Sequence, residues 1–276
     1  MARSYLFIPG NVPRMLQNMD VYEADVIIID WEDAIAPGEK DEARILSETF
    51  LKKHAPDVEI YIRINAEPSL YEADLAHIPL NHVKGVVYPK SDTASLSKLL
   101  KVLPDSLDII ALIETPGAFF DIKTIAAMER ISALFLGAED LCSELGATRD
   151  PSGDAILFAR STLIMAAKAY GKDAVDTPWA DLDANNLQKD AARAKNLGFD
   201  AKSAIHPNQV PLINRLFSPG AEQIKDAKRI IAMHERKGTM RFSLDGKMVD
   251  KPIIQRAYKL LEKARRYGLD GGDSVD

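Results

Sequence analysis

Two carboxylates each close an apolar run: Glu114 follows Ala111-Leu112-Ile113, and Asp140 ends Leu136-Gly137-Ala138-Glu139-Asp140. A Mg²⁺ ion takes one or two protein carboxylates and completes its octahedron with other oxygens. A pair of acids at neighbouring strand ends therefore suits that ion and leaves room for water and substrate. Asp140 alone is equally well explained as a cap for the helical segment Leu141 to Gly146. Taken together, the pair points to metal binding.

Around that pair the chain places further charge. Arg63, with Asn65 two residues on, offers a rigid fork for a carboxylate, a phosphate or a developing enolate oxygen. It serves equally to neutralise the acids Asp30, Glu32, Asp33, Glu114, Glu139 and Asp140, which cannot all ionise at close quarters without cations. Within Asp30-Trp31-Glu32-Asp33 the carboxylates are candidates for binding the ordered waters of an ion or for orienting Arg63; a plain polar loop accounts better for Asp33 than for Glu32. Lys90 follows Val-Val-Tyr-Pro at an equivalent place. A Schiff base is its sharpest role, but beside so many carboxylates it is expected to stay a charged, poorly nucleophilic ammonium. His206 has no patterned partner and reads as a positioned hydrogen-bonding group. Asp250, before Lys251-Pro252, is explained by spacing as a helix cap; on a lid it could carry a proton to or from carbon.

What must position these groups is a repeated rhythm of short apolar runs and helical stretches. The runs are Tyr5 to Ile8, Val26 to Ile29, Ile60 to Ile64, Gly85 to Tyr88, Ile109 to Ile113, Ala133 to Leu136, Asp173 to Val175 and Ala201 to Ile205. Continuous Val/Ile/Leu runs are the mark of parallel strands buried on both faces, and strand then helix, repeated, predicts a (β/α)8 barrel. In such a barrel the carboxyl ends of the strands ring one mouth, and the closing residues, Asp176 among them, are expected there.

Between the runs, Asn11 is predicted to cap a helix from Pro13 to Met19. Glu39 to Lys53, Asp154 to Tyr170 and Asn185 to Leu197 carry helical spacing, Asp92 precedes a leucine stripe and Pro116 opens another helix. After His206 come helices over Val210 to Phe217 and Ala221 to Lys237. A hairpin turning on Asp245-Gly246, of the type I′ form, then leads to a last helix, Ile253 to Tyr267. The division predicted is a barrel over 1–217 and a C-terminal lid and oligomerisation segment over 218–276, ending in a polar tail expected to be disordered.

With 276 residues, 46% hydrophobic, the chain can bury one large core. A formal net charge of -6 without any Lys/Arg block argues against nucleic acid and anionic membrane as partners. The single Cys142 can form no intrachain disulfide and reads as a packed small side chain, and neither a signal peptide nor a membrane span is predicted, so the expected location is the cytoplasm.

Arg3-Ser4-Tyr5-Leu6-Phe7-Ile8-Pro9-Gly10, Asp30-Trp31-Glu32-Asp33-Ala34, Arg63-Ile64-Asn65, Pro89-Lys90, Glu114-Thr115, Gly137-Ala138-Glu139-Asp140-Leu141, Gly198-Phe199-Asp200, Ile205-His206-Pro207 and Leu244 to Asp250 resemble, in this order, the citrate lyase β-subunit family of the HpcH/HpaI aldolase superfamily. The resemblance spans nearly the whole chain. It implies Mg²⁺ on Glu114 and Asp140, Arg63 on the substrate oxygen, and Asp250 as a proton-transferring carboxylate that reaches a neighbouring subunit's site in a homotrimer. It also implies a carbon–carbon lyase acting on a citryl, citramalyl or malyl thioester of CoA or an acyl carrier protein, alone or beside the α and γ subunits of citrate lyase. Kept open are a malate-synthase-like condensation with thioester hydrolysis, a thioester-binding subunit with little activity alone, and a metal-free Schiff-base aldolase through Lys90. Trp31 stands where leucine is common in the family, and Ala66 to Val87 is short relative to many of its members.

Overall fold

The computed structural model describes residues 2–150, 152–181 and 183–269. Eight parallel strands close on themselves, β1 (Ser4–Pro9), β2 (Val26–Asp30), β3 (Glu59–Arg63), β4 (Gly85–Tyr88), β5 (Asp108–Ile113), β6 (Ile131–Leu136), β7 (Asp173–Asp176) and β8 (Ala201–Ala204), with β1 paired to both β2 and β8. The connecting helices are α1 (Pro13–Gln17), α2 (Lys40–Lys53), α3 (Pro68–His77), α4 (Thr93–Val102), α5 (Pro116–Ala127), α6 (Ala138–Leu145), α7 (Leu157–Ala169), α8 (Ala184–Leu197) and α9 (Val210–Phe217).

Side chains alternate along each strand, so one parity fills the barrel and the other meets the helices. The interior is built from Tyr5, Val26, Ile28, Tyr61, Val87, Ile110, Leu112, Ala133, Phe135, Val175 and Ala201. Two residues beyond Ile28, Tyr61 and Leu112 stand Asp30, Arg63 and Glu114, so the inward set turns from hydrocarbon to charge at the mouth.

The helix ends follow local chemistry. Asp92 Oδ1 accepts from the amides of Ala94 and Ser95 at 2.7 and 2.8 Å, and Thr115 Oγ1 accepts from the Ala118 amide at 3.2 Å just before Pro116 sets the first turn of α5. Several expectations need correction. Val12, not Asn11, precedes α1, and Asn11 instead donates to Glu39 Oε2 at 2.8 Å. Helix α7 begins at Leu157 rather than Asp154, because Asp150 and Ser152 form a tight turn ahead of it. Helix α3 was not foreseen; its apolar residues show no single facing stripe, and it is fixed by Asp74, which binds Arg44 and Asn65.

Asp176 is also corrected. It ends β7 but has the outward parity, and with no exposed surface it binds Arg160 and Lys202 between barrel and helices instead of lining the mouth.

The chain divides into two compact units between Arg215 and Leu216, against the predicted 217/218. The second contains α10 (Ala221–Lys237), the antiparallel pair β9 (Phe242–Leu244) and β10 (Lys247–Val249), and α11 (Lys251–Arg266). Ile224 and Ala227 of α10 pack with Ala257, Leu261 and Ala264 of α11, while Phe242, Val249 and Ile254 form a second cluster. Asp245 and Gly246 have φ of 50° and 76°, the two positive angles that a type I′ turn requires. The tail from Asp270 onward lies outside the described residues. No helix among the described residues is long and apolar enough to cross a membrane.

Candidate active site

Phe7, Asp30, Asp33, Arg63, Leu112, Glu114, Phe135, Gly137, Glu139, Asp140, Thr177 and Ile205 help line one cavity of about 380 Å³ at the mouth of the barrel. It has an apolar floor, Phe7 meeting Phe135 edge to face at 5.7 Å, and a charged rim.

Arg63 is the fixed point of that rim. Its Nε and Nη2 donate to the two oxygens of Asp30 at 2.8 and 2.5 Å, and its guanidinium lies 5.0 Å from the Phe7 ring centre. Asp30 is held in turn by the amides of Glu32 at 2.8 Å and Ala34 at 3.0 Å. Arg63 Nη1 lies 3.0 Å from Glu32 Oε2 and 3.6 Å from Asp33 Oδ2. Burial alone would lower the Arg63 pKa, but the charge and hydrogen bonds of Asp30, with Glu32 and Asp33 behind them, outweigh it and keep the guanidinium charged.

The carboxylates are uncomfortable without a further cation. Burial pushes the Glu114 carboxyl up to about 8, against the pull of the Lys90 amide, and the negative charges of Glu32 and Asp140 add to the rise. Glu32 is pushed up to about 7, again by burial first, with Arg63 opposing and Asp33 and Asp30 reinforcing. Glu32 Oε2 is buried and, despite its closeness to Arg63, makes no hydrogen bond. Glu114 Oε1 accepts the Lys90 amide at 2.7 Å, which Lys90 can present because its backbone adopts φ of 46°, an uncommon angle for a residue with a side chain. Gly137 is required opposite: a Cβ there would lie 2.5 Å from Glu114 Oε2.

Asp140 occupies the first turn of α6, and no side chain caps that helix. Its carboxylate is therefore not spent on helix amides, which removes the plainer account. Glu139, its neighbour, is engaged at 2.6 Å by Arg149.

Among the described residues no three His, Cys, Asp or Glu side chains gather closely enough to hold a metal by themselves. An ion held by two carboxylates and completed by water or ligand oxygens does not need a third. The buried, mutually repelling acids and the orphaned oxygen of Glu32 fit a hard divalent cation.

The remaining expected residues lie as follows. Lys90 and Asn65 line an adjoining cavity with Glu32 and Asp33. Asn65 donates to Asp74 Oδ2 and to the Trp31 carbonyl. His206 Nδ1 accepts from the Asn208 amide at 3.2 Å, and Cys142 is buried on α6. Asp250 belongs to the second unit, where its exposed carboxylate caps α11 by accepting from the Ile253 amide at 3.3 Å. The chain reading missed Arg149, Arg160, Asp190 and Lys202; only their burial reveals them, since each is a polar residue in a helical, loop or strand segment with nothing local to mark it.

The model of the HpcH/HpaI aldolase/citrate lyase family matches residues 3–207. The chain belongs to this family. Its family relatives include the citrate lyase subunit beta of Haemophilus influenzae, 38% identical over 96% of this chain and 97% of that one. The mitochondrial citramalyl-CoA lyase of Rattus norvegicus is 28% identical over 95% of this chain and 86% of its own. Among solved structures, the protein CitE of Mycobacterium tuberculosis in complex with magnesium, acetoacetate and coenzyme A superposes with a TM-score of 0.81 at 31% identity, covering 95% of this chain and 97% of that one. As a member of the HpcH/HpaI aldolase/citrate lyase family, the chain is a carbon–carbon lyase.

Proposed function

We propose that this lyase uses Mg²⁺ to cleave a 3-hydroxy-3-carboxyacyl thioester, of the citryl, citramalyl or malyl type, to an acetyl thioester and a 2-oxo acid. The observation that carries the reading is the sharing of one cavity by Glu114, Asp140 and an Arg63 already locked in place by Asp30. Relatives described as citrate lyase and citramalyl-CoA lyase, and the magnesium and coenzyme A in the M. tuberculosis structure, support the choice of ion and thiol.

Glu114 and Asp140 would hold the ion, which when bound supplies Lewis-acid polarisation of the substrate's carboxylate and hydroxyl. Asp30 consumes two N–H groups of Arg63, leaving three of its five donors from which a substrate oxygen can be met. As the hydroxyl passes its proton to a carboxylate of the rim and its carbon becomes a carbonyl, the broken C–C pair moves onto the thioester as an enolate. Arg63 opposes that charge at the thioester oxygen, where a fixed donor acts without reorganisation. Asp250, in its acid form, then protonates the enolate carbon; in condensation the same carboxylate removes that proton. Its single capping bond to the Ile253 amide leaves lone pairs for this duty. In this reading Asp250 comes from a neighbouring subunit of a homotrimer, and the segment over 218–276 serves as lid and oligomerisation surface. The apolar floor of Phe7, Leu112 and Phe135 faces the carbon skeleton and helps exclude water.

Purified chain with Mg²⁺, offered citryl-, citramalyl- and malyl-CoA, tests the proposal: acetyl-CoA and a 2-oxo acid are expected, and free CoA in place of acetyl-CoA would replace it by condensation with hydrolysis. One observation favours a second reading. Identity of 38% to a citrate lyase subunit across nearly both full chains suits a chain working beside α and γ subunits on a carrier-bound thioester. Silence on all three CoA esters, with turnover of a carrier-bound one, would select it.

A further inference from the structure

Behind the cavity wall lies a buried ionic cluster. Arg160 binds both oxygens of Asp176 at 2.9 and 2.8 Å and Asp190 Oδ1 at 2.7 Å, and Lys202 Nζ donates to Asp176 and Asp190 at 2.6 Å each. Arg149 joins at Asp190 Oδ2, 3.3 Å away. Three cations thus face two carboxylates; the third negative charge is Glu139, the residue before Asp140.

The arrangement ties two walls of the cavity together. Arg149 Nη1 donates to Glu139 Oε1 on α6 and to the Pro178 carbonyl beyond β7, both at 2.6 Å, while its guanidinium stacks 4.9 Å from the Trp179 ring centre. Lys202 donates to the Thr177 carbonyl at 2.7 Å, and Thr177 Oγ1 accepts the Ala138 amide at the start of α6 at 3.2 Å. Thr177, Pro178, Ala138, Glu139 and Asp140 all line the cavity. The Arg149 side chain is 6% exposed, so its bonds to Asp190 and to the Pro178 carbonyl are largely shielded from water, where a charged fork is strong, while Glu139, 55% exposed, is met at the rim.

We propose that Arg149 is a positioning residue for the metal site: by engaging Glu139 it pins the first turn of α6 to the β7 exit and leaves Asp140 as the carboxylate free to bind the ion. The inference rests on the Mg²⁺ reading above and adds a residue to it. Supporting groups of this kind set the orientation of a ligand, and their loss commonly weakens metal binding about 10- to 100-fold.

The test is Mg²⁺ binding by calorimetry on folded protein, with circular dichroism and melting temperature as the check of fold. Arg149→Gln is expected to bind about tenfold or more weakly. Arg149→Lys, which keeps charge but not the fork, is expected between the two. Glu139→Ala, a change at a half-exposed rim with little risk to folding, is expected to weaken binding as well. Glu139→Gln, which keeps the acceptor for Arg149 but not the charge, is expected to retain more of the affinity than Glu139→Ala. Unchanged Mg²⁺ affinity in Glu139→Ala, or in a folded Arg149→Gln, overturns the proposal, as does a Glu139→Gln loss equal to that of Glu139→Ala, which would make Glu139 itself the ligand. If the unaltered chain binds no Mg²⁺, or Asp140→Asn binds it normally, the functional reading fails instead.

Discussion

Asp30 grips Arg63 with both carboxylate oxygens, at 2.8 and 2.5 Å, while its own lone pairs are filled by the amides of Glu32 and Ala34. The donor that faces the cavity is thus set by a carboxylate that the backbone itself holds still.

Breaking that grip should cost rate while sparing the fold. Asp30→Asn keeps the shape but loses the charge that orients Arg63, and kcat is expected to fall about 10-fold or more; Arg63→Ala should fall by about 10²-fold or more. Steady-state kinetics against the best thioester substrate checks both. An Arg63→Ala enzyme within twofold of the parent would remove Arg63 from the mechanism.

Glu114→Gln should separate stability from function. It relieves a buried charge opposed by Asp140 and Glu32 and retains an acceptor for the Lys90 amide, so the metal-free protein is expected to melt at least as high as the parent. Its gain in melting temperature with added Mg²⁺ should vanish, read by thermal denaturation with and without the ion.

Gly137→Ala places a Cβ 2.5 Å from Glu114 Oε2, closer than such atoms approach. It would stand equally close, 2.5 Å, to Glu114 Cβ, so turning the side chain is not enough and the backbone of one of the two residues must shift. Mg²⁺ affinity and melting temperature are both expected to drop, read by calorimetry and thermal denaturation side by side.

The buried cluster sets an acid limit to stability. Burial alone would raise the Asp190 pKa, but Lys202, Arg160 and Arg149 outweigh it and hold the carboxyl down at about 2, below its ordinary 3.8. A depressed carboxyl stabilises the fold fully above its unfolded value and loses that contribution as pH falls toward the folded one. Denaturant midpoints should therefore decline as pH drops from about 4 to about 2. Lys202→Met, which removes one of the buried cations shared by Asp176 and Asp190, should cost about 3–5 kcal/mol by urea titration at neutral pH.

Mixing inactive variants tests whether sites are shared. If Asp250 serves a neighbour's barrel, Arg63→Ala and Asp250→Ala chains denatured and refolded together should recover about a quarter of full activity, since random assembly pairs an intact Arg63 with an intact Asp250 that often. No recovery in verified mixed oligomers would place both residues on one chain.

Much of the barrel was legible because burial on both faces demands uninterrupted Val, Ile and Leu, and that demand is written locally, as in Val26 to Ile29 and Ile109 to Ile113. Strand parity accounts for the inward placement of three of the candidates. Asp30, Arg63 and Glu114 stand two residues past the interior positions Ile28, Tyr61 and Leu112, so the period of the strand already points them inward. Helix stops at Gly198 and Gly238 and the positive angles at Asp245-Gly246 were equally local matters.

Tertiary structure alone decided which charges serve the mouth and which the wall. Asp176 and Glu114 both follow an apolar run, yet β7 presents Val175 inward and so turns Asp176 out to Arg160 and Lys202, residues 16 and 26 positions away. Arg149 likewise meets Asp190 across 41 positions. A residue's type and spacing set what it can bond to, but the partner of a buried charge is whatever the closed barrel brings opposite it, and that is fixed by register and packing between segments far apart in the chain.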